Sequence, residues 1–448
     1  MRDIHDEIEE LSLEIANQDS SLHSYDIAEK LTKLRSLDFD SYVSAIQKIP
    51  STLFADILAE MPIYIQEEIS EYVSTKKLVN VTSNMDSDDA ATFIQNLSEE
   101  HEDVVQIILE NLNVEEKEVL EQLISYENNE VGSYMQTELF SANIDDNIGD
   151  SIKKLKILKE LGKVDNIWHC HIVDAQSKYL GSIGLEELII VDHHLKFRDI
   201  DIEKFKTYSI NHTQEIKEAV EMFSNYNLSS LPIIDNNLIL IGRVTSDDIY
   251  DVMEENATEQ IYNMAGVSEQ KEQEESLYQI GKSRAIWLSL NLITAISASI
   301  VIGFFDATIQ SLVALAILMP IVASMGGNAG TQTLTVTIRQ MALGDIDSED
   351  AKKTIYKEVI ISLANGLLFA VIIGTISFLW FKIPMLGVVI AISMIINLLS
   401  AGFFGALIPL SLQKFGIDPA IGSTVLLTTV TDIVGFFSFL GLATVILL

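Results

Sequence analysis

Hydrophobic and polar positions change rhythm twice along the chain. Before Asn128, apolar residues recur at helical spacing in short runs closed by small turns. Val43-Ser44-Ala45-Ile46 leads to Ile49-Pro50, and Leu53-Phe54-Ala55-Asp56-Ile57-Leu58 leads to Met61-Pro62. This spacing predicts stacked helical hairpins that cover one another's apolar faces. Between about Glu130 and Glu259 the pattern becomes mixed α/β and occurs twice. One copy has His171-Ile172-Val173-Asp174, a turn, Tyr179-Leu180-Gly181-Ser182-Ile183 and an acidic helix start at Glu186. The other has Leu231-Pro232-Ile233-Ile234-Asp235, a turn at Asn236-Asn237, then Leu240-Ile241-Gly242-Arg243-Val244-Thr245 and another acidic helix start. From Ala285 onward, charge-free runs appear that are long enough to cross ~30 Å of hydrocarbon with ~20 residues each. Five are expected, at Ala285–Phe304, Thr308–Thr337, Val359–Phe381, Pro384–Leu412 and Pro419–Leu448. Three exceed ordinary core helices in length, which disfavours the core of a large soluble protein.

Length and charge sharpen this division. At 448 residues the chain is too long for one ordinary domain. Of its 29 Lys+Arg and 65 Asp+Glu, 7 and 8 fall at or after Arg284, so nearly all of the net −36 lies before it. So acidic a half repels nucleic acid and anionic lipid surfaces and concentrates cations. Cys170 is the only cysteine, which excludes an intramolecular disulfide, a CxxC pair and a Cys-rich zinc module. The opening MRDIHDEIEE carries no apolar stretch, so the expectation is no cleavable signal peptide and a cytosolic first part. Lys282, Arg284, Arg339, Lys352, Lys353, Lys357 and Lys414 then lie inside and Lys382 outside, with the carboxyl terminus outside.

The duplicated unit resembles a pair of cystathionine-β-synthase-type (CBS) domains. In the second copy Thr245-Ser246-Asp247-Asp248 resembles the family's strand-end Thr and ribose-binding Asp; the first copy has Gly184 and Glu187 there. With helical repeats before it and five spans after it, the chain resembles the MgtE family of magnesium channels and transporters. The resemblance rests on Pro320-Ile321-Val322-Ala323-Ser324-Met325-Gly326-Gly327-Asn328-Ala329-Gly330-Thr331-Gln332, on Gly416-Ile417-Asp418-Pro419-Ala420 and on Thr431-Asp432-Ile433-Val434-Gly435. It implies a multidomain architecture: a superhelical α-helical domain (1–127), tandem α/β CBS domains (128–260), a connecting, gating helix (261–283) and an all-α pore domain of five transmembrane helices (284–448). It also implies a homodimer in the plasma (inner) membrane, embedded in lipid, transporting Mg²⁺, with ATP as a candidate ligand of Thr245 and Asp248.

Asp432 lies near the middle of an otherwise uncharged final span, flanked by Thr428, Thr429 and Thr431. A carboxylate there is costly unless water, a partner or a cation compensates it, so an ion pathway is the first reading and a protonated Asp bonded to a neighbouring helix the second. Gly326-Gly327-Asn328-Ala329-Gly330, just after Pro320, permits a kink or break whose carbonyls would line a watered cavity. Gly326 and Gly330 also form a small-xxx-small packing face. Asn328 and Gln332 tilt the choice toward lining, so Gly327, Asn328, Gln332, Thr428, Thr431 and Asp432 are the expected pathway residues. Asn365 and Asn397 are weaker candidates, equally explained as interhelical hydrogen bonds. Asp418 is either a helix start beside Pro419 or, as the resemblance implies, part of an ion site at the pore mouth.

In the regulatory half, Asp247, Asp251, Glu255 and Glu259 recur every fourth residue and form one acidic helical stripe, with Asp248 and Glu254 beside it. Like charges so placed destabilise a helix, and a bound divalent cation reverses that penalty. Asp88-Asp89 resembles the family's metal-contacting corner of the amino-terminal domain. A solvated acidic face is the plainer explanation for any one of these carboxylates. Where better-matched members of the family carry acids, this chain has Asn227, Asn256 and Gln260. The expected function is a magnesium channel gated by divalent ions at its acidic domains, and not an enzyme. A membrane hydrolase lacks paired groups if Asp432 is the one strongly intramembrane acid. A nucleotide-sensing membrane regulator without transport is the alternative.

Overall fold

The computed structural model describes residues 23–98, 101–201, 204–267, 277–342, 346 and 351–448. It divides into two compact units, Met1–Glu254 and Glu255–Leu448.

Among the described residues the first unit begins with eight short helices: α1 (Ser24–Leu37), α2 (Phe39–Lys48), α3 (Ser51–Ala59), α4 (Ile63–Tyr72), α5 (Thr75–Thr82), α6 (Ser87–Ser98), α7 (Glu102–Asn111) and α8 (Val114–Ile124). Their boundaries follow the turn residues. Pro50 and Pro62 stand at the N-caps of α3 and α4, and Asp38, Ser74 and Asn113 accept the free amides that begin α2, α5 and α8. Helix α1 packs on α3, α3 on α5, α4 on α6, α5 on α7 and α6 on α8. This is the expected superhelical stack, with Leu31, Ile46, Phe54, Ile65, Leu78 and Phe93 in its core.

Two three-stranded sheets follow. The first holds β1 (Ser141–Asn143), β2 (His169–Val173) and β3 (Tyr179–Gly184), with α9 (Ile148–Glu160) and α10 (Leu185–Ile190). The second holds β4 (Ile210–Asn211), β5 (Ser230–Ile234) and β6 (Leu240–Thr245), with α11 (Ile216–Tyr226) and the start of α12 (Ser246–Ala265). In both, the first strand runs parallel to the second and the second antiparallel to the third. Even the register shift recurs, at Ile172/Val173 and Ile233/Ile234. A parallel pair needs a crossover, which α9 and α11 supply.

The second unit contains the end of α12, then α13 (Leu277–Gly303), α14 (Asp306–Ser311), α15 (Ala314–Ala342), α16 (Ala351–Phe381), α17 (Pro384–Lys414) and α18 (Ser423–Leu447). Among the described residues five helices are long and apolar enough to span a bilayer, the first counted from Ile280. Helix α17 packs on α15, α16 and α18 and is the most buried of the five.

Three expectations are corrected. The run expected from Thr308 is divided into α14 and α15. The glycine-rich stretch does not break its helix, since α15 is continuous from Ala314 to Ala342 despite Pro320. The segment expected to connect as one helix at 261–283 is interrupted: α12 ends at Ala265 and Gly266 takes φ 72°, a left-handed conformation that suits glycine at a helix end. Residues 268–276 lie outside the described residues, and Leu277 already belongs to α13.

Candidate ion pathway and acidic cluster

Helix α15 separates the two roles proposed for its glycines by face. Gly326 and Gly330 are buried, and a Cβ on Gly330 would stand 3.0 Å from Leu427 of α18. Ser324, Asn328 and Gln332, each four residues apart, are exposed on another face, where Asn328 Nδ2 donates to Ser324 Oγ at 3.4 Å. A Cβ on Gly327 would have nothing within 4 Å. A span of a single chain thus carries an open polar stripe.

Helix α18, packed on α15, carries Asp432, which is half-buried. Among the described residues Asp432 has no hydrogen bond or ion pair, so its compensation must come from water, a cation or a second chain. Thr428 is half-buried and donates to the Thr424 carbonyl at 2.9 Å. Thr431 differs from expectation: it is fully buried, donates to the Thr428 carbonyl at 3.1 Å and faces the bundle interior. Neighbouring residues on a helix point about 100° apart, so Thr431 and Asp432 look in different directions.

Asp418 does not start the last helix, which begins at Ser423 behind Gly422 at its N-cap; it closes a turn ahead of it and makes a second contact. Its Oδ1 accepts from Ala420 N at 2.8 Å at the approach to α18, while its Oδ2 accepts from Asn263 Nδ2 of α12 at 3.2 Å. Asn263 also reaches Glu259 Oε1 at 3.5 Å, and Thr424 donates to the Met264 carbonyl at 3.0 Å. The tail of α12 is therefore tied to the start of α18, and the acidic stripe ends beside Asp418 through a neutral amide.

Sequence reasoning missed Glu358. It is buried in α16, and its Oε2 accepts from Thr333 of α15 at 3.2 Å. Asp432 is therefore not the only acid within a span. The charge-free window stopped at Glu358, although the helix begins seven residues earlier at Ala351. Asn365 is exposed on α16, whereas Asn397 is buried and donates to the Val322 carbonyl at 2.8 Å.

In the first unit, the start of α6 lies against the second CBS copy. Ser87 Oγ donates to Glu138 Oε2 at 2.8 Å and accepts from Thr137 N at 2.8 Å, while the adjacent Gln136 pairs through its backbone with Arg243 of β6. This brings Asp86, Asp88 and Asp89 near Asp248, which follows β6. Asp88 is buried with one carboxylate oxygen lacking any partner, and burial, then Asp248 and Asp89, push its carboxyl well above the usual range. Burial foremost raises Asp248 to about 6, opposed by the Thr245 hydroxyl, which donates to it at 2.5 Å. Asp89 is raised to about 7 and Asp86 to about 6, again chiefly by desolvation. Both keep exposed surface where water screens the repulsion and Asp248 is half-buried, so Asp88 is the enclosed member of the cluster. The nearby Arg243 directs its guanidinium to the carbonyls of Asp165 and Asn166, both at 3.0 Å.

Four aspartates and Glu138 beside one committed arginine are an incompletely neutralised set. The unpartnered Asp88 oxygen fits a cation. Among the described residues no three His, Cys, Asp or Glu side chains converge on one ion, so a cation here would keep most of its waters, as Mg²⁺ does. Asp247, Asp251, Glu255 and Glu259 instead lie exposed along α12, where Asp251 and Glu255 are raised by partial burial and by their acidic neighbours. Thr245, the other residue expected to hold a nucleotide, is buried and donates to Asp248 Oδ2 through both its hydroxyl and its amide. In the first copy, Glu187 is paired with Lys204 at 2.8 Å.

A superhelical stack, a CBS pair and a five-helix apolar bundle with an open polar stripe define a multi-pass membrane protein with a large acidic half. Residues 319–442 match MgtE, described as a divalent cation transporter, residues 22–129 match the MgtE intracellular N domain and residues 199–255 a CBS domain. The chain belongs to the MgtE family. It is 27% identical over 389 residues to the magnesium transporter MgtE of Bacillus subtilis, covering 87% of this chain and 85% of that one. It is 27% identical over 363 residues to the protein of that name from Thermus thermophilus, covering 80% and 79%. The crystal structure of the soluble part of a magnesium transporter superimposes with a TM-score of 0.50 at 20% identity, over 57% of this chain and 100% of that one, a likeness of fold.

Proposed function

We propose that the chain forms a homodimer that admits Mg²⁺ to the cytosol through the plasma (inner) membrane, and that divalent ions gathered at its acidic domains close it. The observation that carries this reading is the open face of Ser324, Asn328 and Gln332 on α15, beside α18 with its unpartnered Asp432. Lipid against such a face is unfavourable. A second copy about a two-fold axis covers it and makes it the wall of a watered conduit. Mg²⁺ suits that wall because it sheds water reluctantly and is held through few carboxylates, here two copies of Asp432 with amide oxygens nearby. The names of the two relatives support magnesium as the cargo. A divalent ion gains about 4.6 kcal/mol crossing 100 mV, from ~2.3 kcal/mol per charge, which drives inward flow without nucleotide hydrolysis. The basic residues at one end of the bundle support a cytosolic placement of that end and of the acidic half.

Gating follows from the acidic cluster. Without cations, Asp88, Asp89 and Asp248 repel and α6 leaves β6; with cations they stay together. Helix α12 carries the change toward α18 through Asn263–Asp418 and Met264–Thr424.

Mg²⁺ uptake into proteoliposomes tests the function. Uptake that grows with an inside-negative potential supports the reading, and no uptake above empty vesicles overturns it. Cys170 is buried, so Asn328→Cys gives one accessible thiol. Crosslinked pairs support the shared face, and failure to crosslink under oxidation overturns it.

A further inference from the structure

Three helices of the membrane unit meet on one amide. Asn397 of α17 has no exposed surface, and its Nδ2 donates to the Val322 carbonyl of α15 at 2.8 Å. Only the nitrogen can donate to a carbonyl, so the bond also identifies Oδ1, which is buried without a hydrogen-bond partner. The amide sits in a notch formed by two glycines. A Cβ on Gly326 of α15 would overlap Nδ2 and stand 2.8 Å from Oδ1, and a Cβ on Gly435 of α18 would stand 2.8 Å from Nδ2. In a close-packed interior, a side chain at either position must displace the amide or push its helix away. Gly326 lies two residues before Asn328, and Gly435 three residues after Asp432. The amide is thus a spacer between the helix bearing the open polar stripe and the helix bearing the acid.

We propose that Asn397 is a positioning residue that sets the separation and rotation of α15 and α18, and through them takes part in selecting divalent cations by size. The inference rests on the reading that these two helices line the pathway. The bond to Val322 holds α15 in rotation, and the two glycines let both helices close on the same side chain. The free Oδ1 leaves an acceptor that a water in the junction can use.

The test uses the full-length protein in proteoliposomes, with uptake of Mg²⁺, Mn²⁺ and Ca²⁺ measured separately. Gly326→Ala should lower Mg²⁺ uptake by about tenfold, and Gly326→Ala with Asn397→Ala should recover much of it because the overlap is gone. Asn397→Leu, with the same branching but bulkier and without the donor, should change the Mn²⁺/Mg²⁺ or Ca²⁺/Mg²⁺ uptake ratio by about threefold or more. Loss of folded protein scales all three ions together and leaves those ratios unchanged. Wild-type ratios in every Asn397 variant, together with no recovery in the double variant, overturn the inference. Asp432→Ala separates the two levels. If it abolishes uptake while the Asn397 ratios stay wild-type, only the spacer role falls; if it leaves uptake intact, the pathway reading falls too.

Discussion

Asp248→Asn removes one charge from the cluster that joins α6 to the end of β6 while leaving an oxygen for the Thr245 hydroxyl. In the docked arrangement the Asp248 carboxyl is raised to about 6 from an ordinary value near 3.8. Holding it ionised at neutral pH therefore costs about 2 to 3 kcal/mol, allowing for its remaining contact with water, at ~1.4 kcal/mol per unit. An amide does not incur that cost; Asp247 and Asp251 of its own helix supply part of it, so the share that docking imposes through burial should raise the docking equilibrium without divalent ions by up to about 30-fold, for ~2 kcal/mol. The same change removes an anionic ligand, so Mg²⁺ gains less by bridging and the response to it flattens. The assay is energy transfer between labels at Ser44→Cys on α2 and Ile189→Cys on α10 in the full-length protein, titrated from chelator to excess Mg²⁺. The unsubstituted Asp248 protein should shift strongly; Asp248→Asn should begin near the docked value and shift little. Indistinguishable titrations would refute the electrostatic account of docking.

Further expectations follow from the same geometry. Asp86, Asp89 and Asp248 bind protons more tightly docked than apart, so in chelator the docking penalty is full above about pH 7, fades as pH falls through the docked values of about 7 and 6, and vanishes below about 4. Lowering pH from about 8 to about 5 should therefore mimic Mg²⁺ in the energy-transfer assay, and a flat profile would contradict it. Restoring Asn227→Asp, Asn256→Glu and Gln260→Asp together should sharpen inhibition of uptake by Mg²⁺ on the cytosolic side; Asn227 ends α11 with φ 50°, a conformation Asp also tolerates, so that change keeps the fold. Complete, tight inhibition before restoration would sink this idea. Glu358→Gln keeps an acceptor for Thr333, whereas Glu358→Ala leaves the Thr333 hydroxyl without its partner and should cost about 1 to 3 kcal/mol. Thermal unfolding in detergent should separate the two variants, and equal midpoints would count against a stabilising bond.

The spans and the duplicated α/β unit were legible because strong constraints write themselves locally. Lipid demands long apolar helices, and a repeated strand–turn–strand pattern leaves the same alternation twice. The polar stripe was half legible: spacing put Asn328 and Gln332 four apart, but only packing showed that Gly326 and Gly330 turn inward while Gly327 does not. Thr431 was misread because adjacency in sequence to Asp432 is not adjacency on a helix face. Glu358 was hidden by its own charge, which ended the hydrophobic window. Asp88 and Asp248 are 160 residues apart, and their meeting depends on α6 docking against the CBS pair, which no local pattern encodes. The end of α12 at Gly266 rests on a left-handed residue, which the charge pattern of the segment does not reveal.

The most direct measurement is Mg²⁺ flux through Asp432→Ala in proteoliposomes, with dimer assembly confirmed by crosslinking through Asn328→Cys. An intact dimer that has lost Mg²⁺ flux is the predicted result, because the variant removes the unpartnered carboxylate beside the open polar face. Asp432→Asn should lose most flux as well, since an amide keeps an oxygen but no charge. Wild-type flux through either correctly assembled variant would contradict the account.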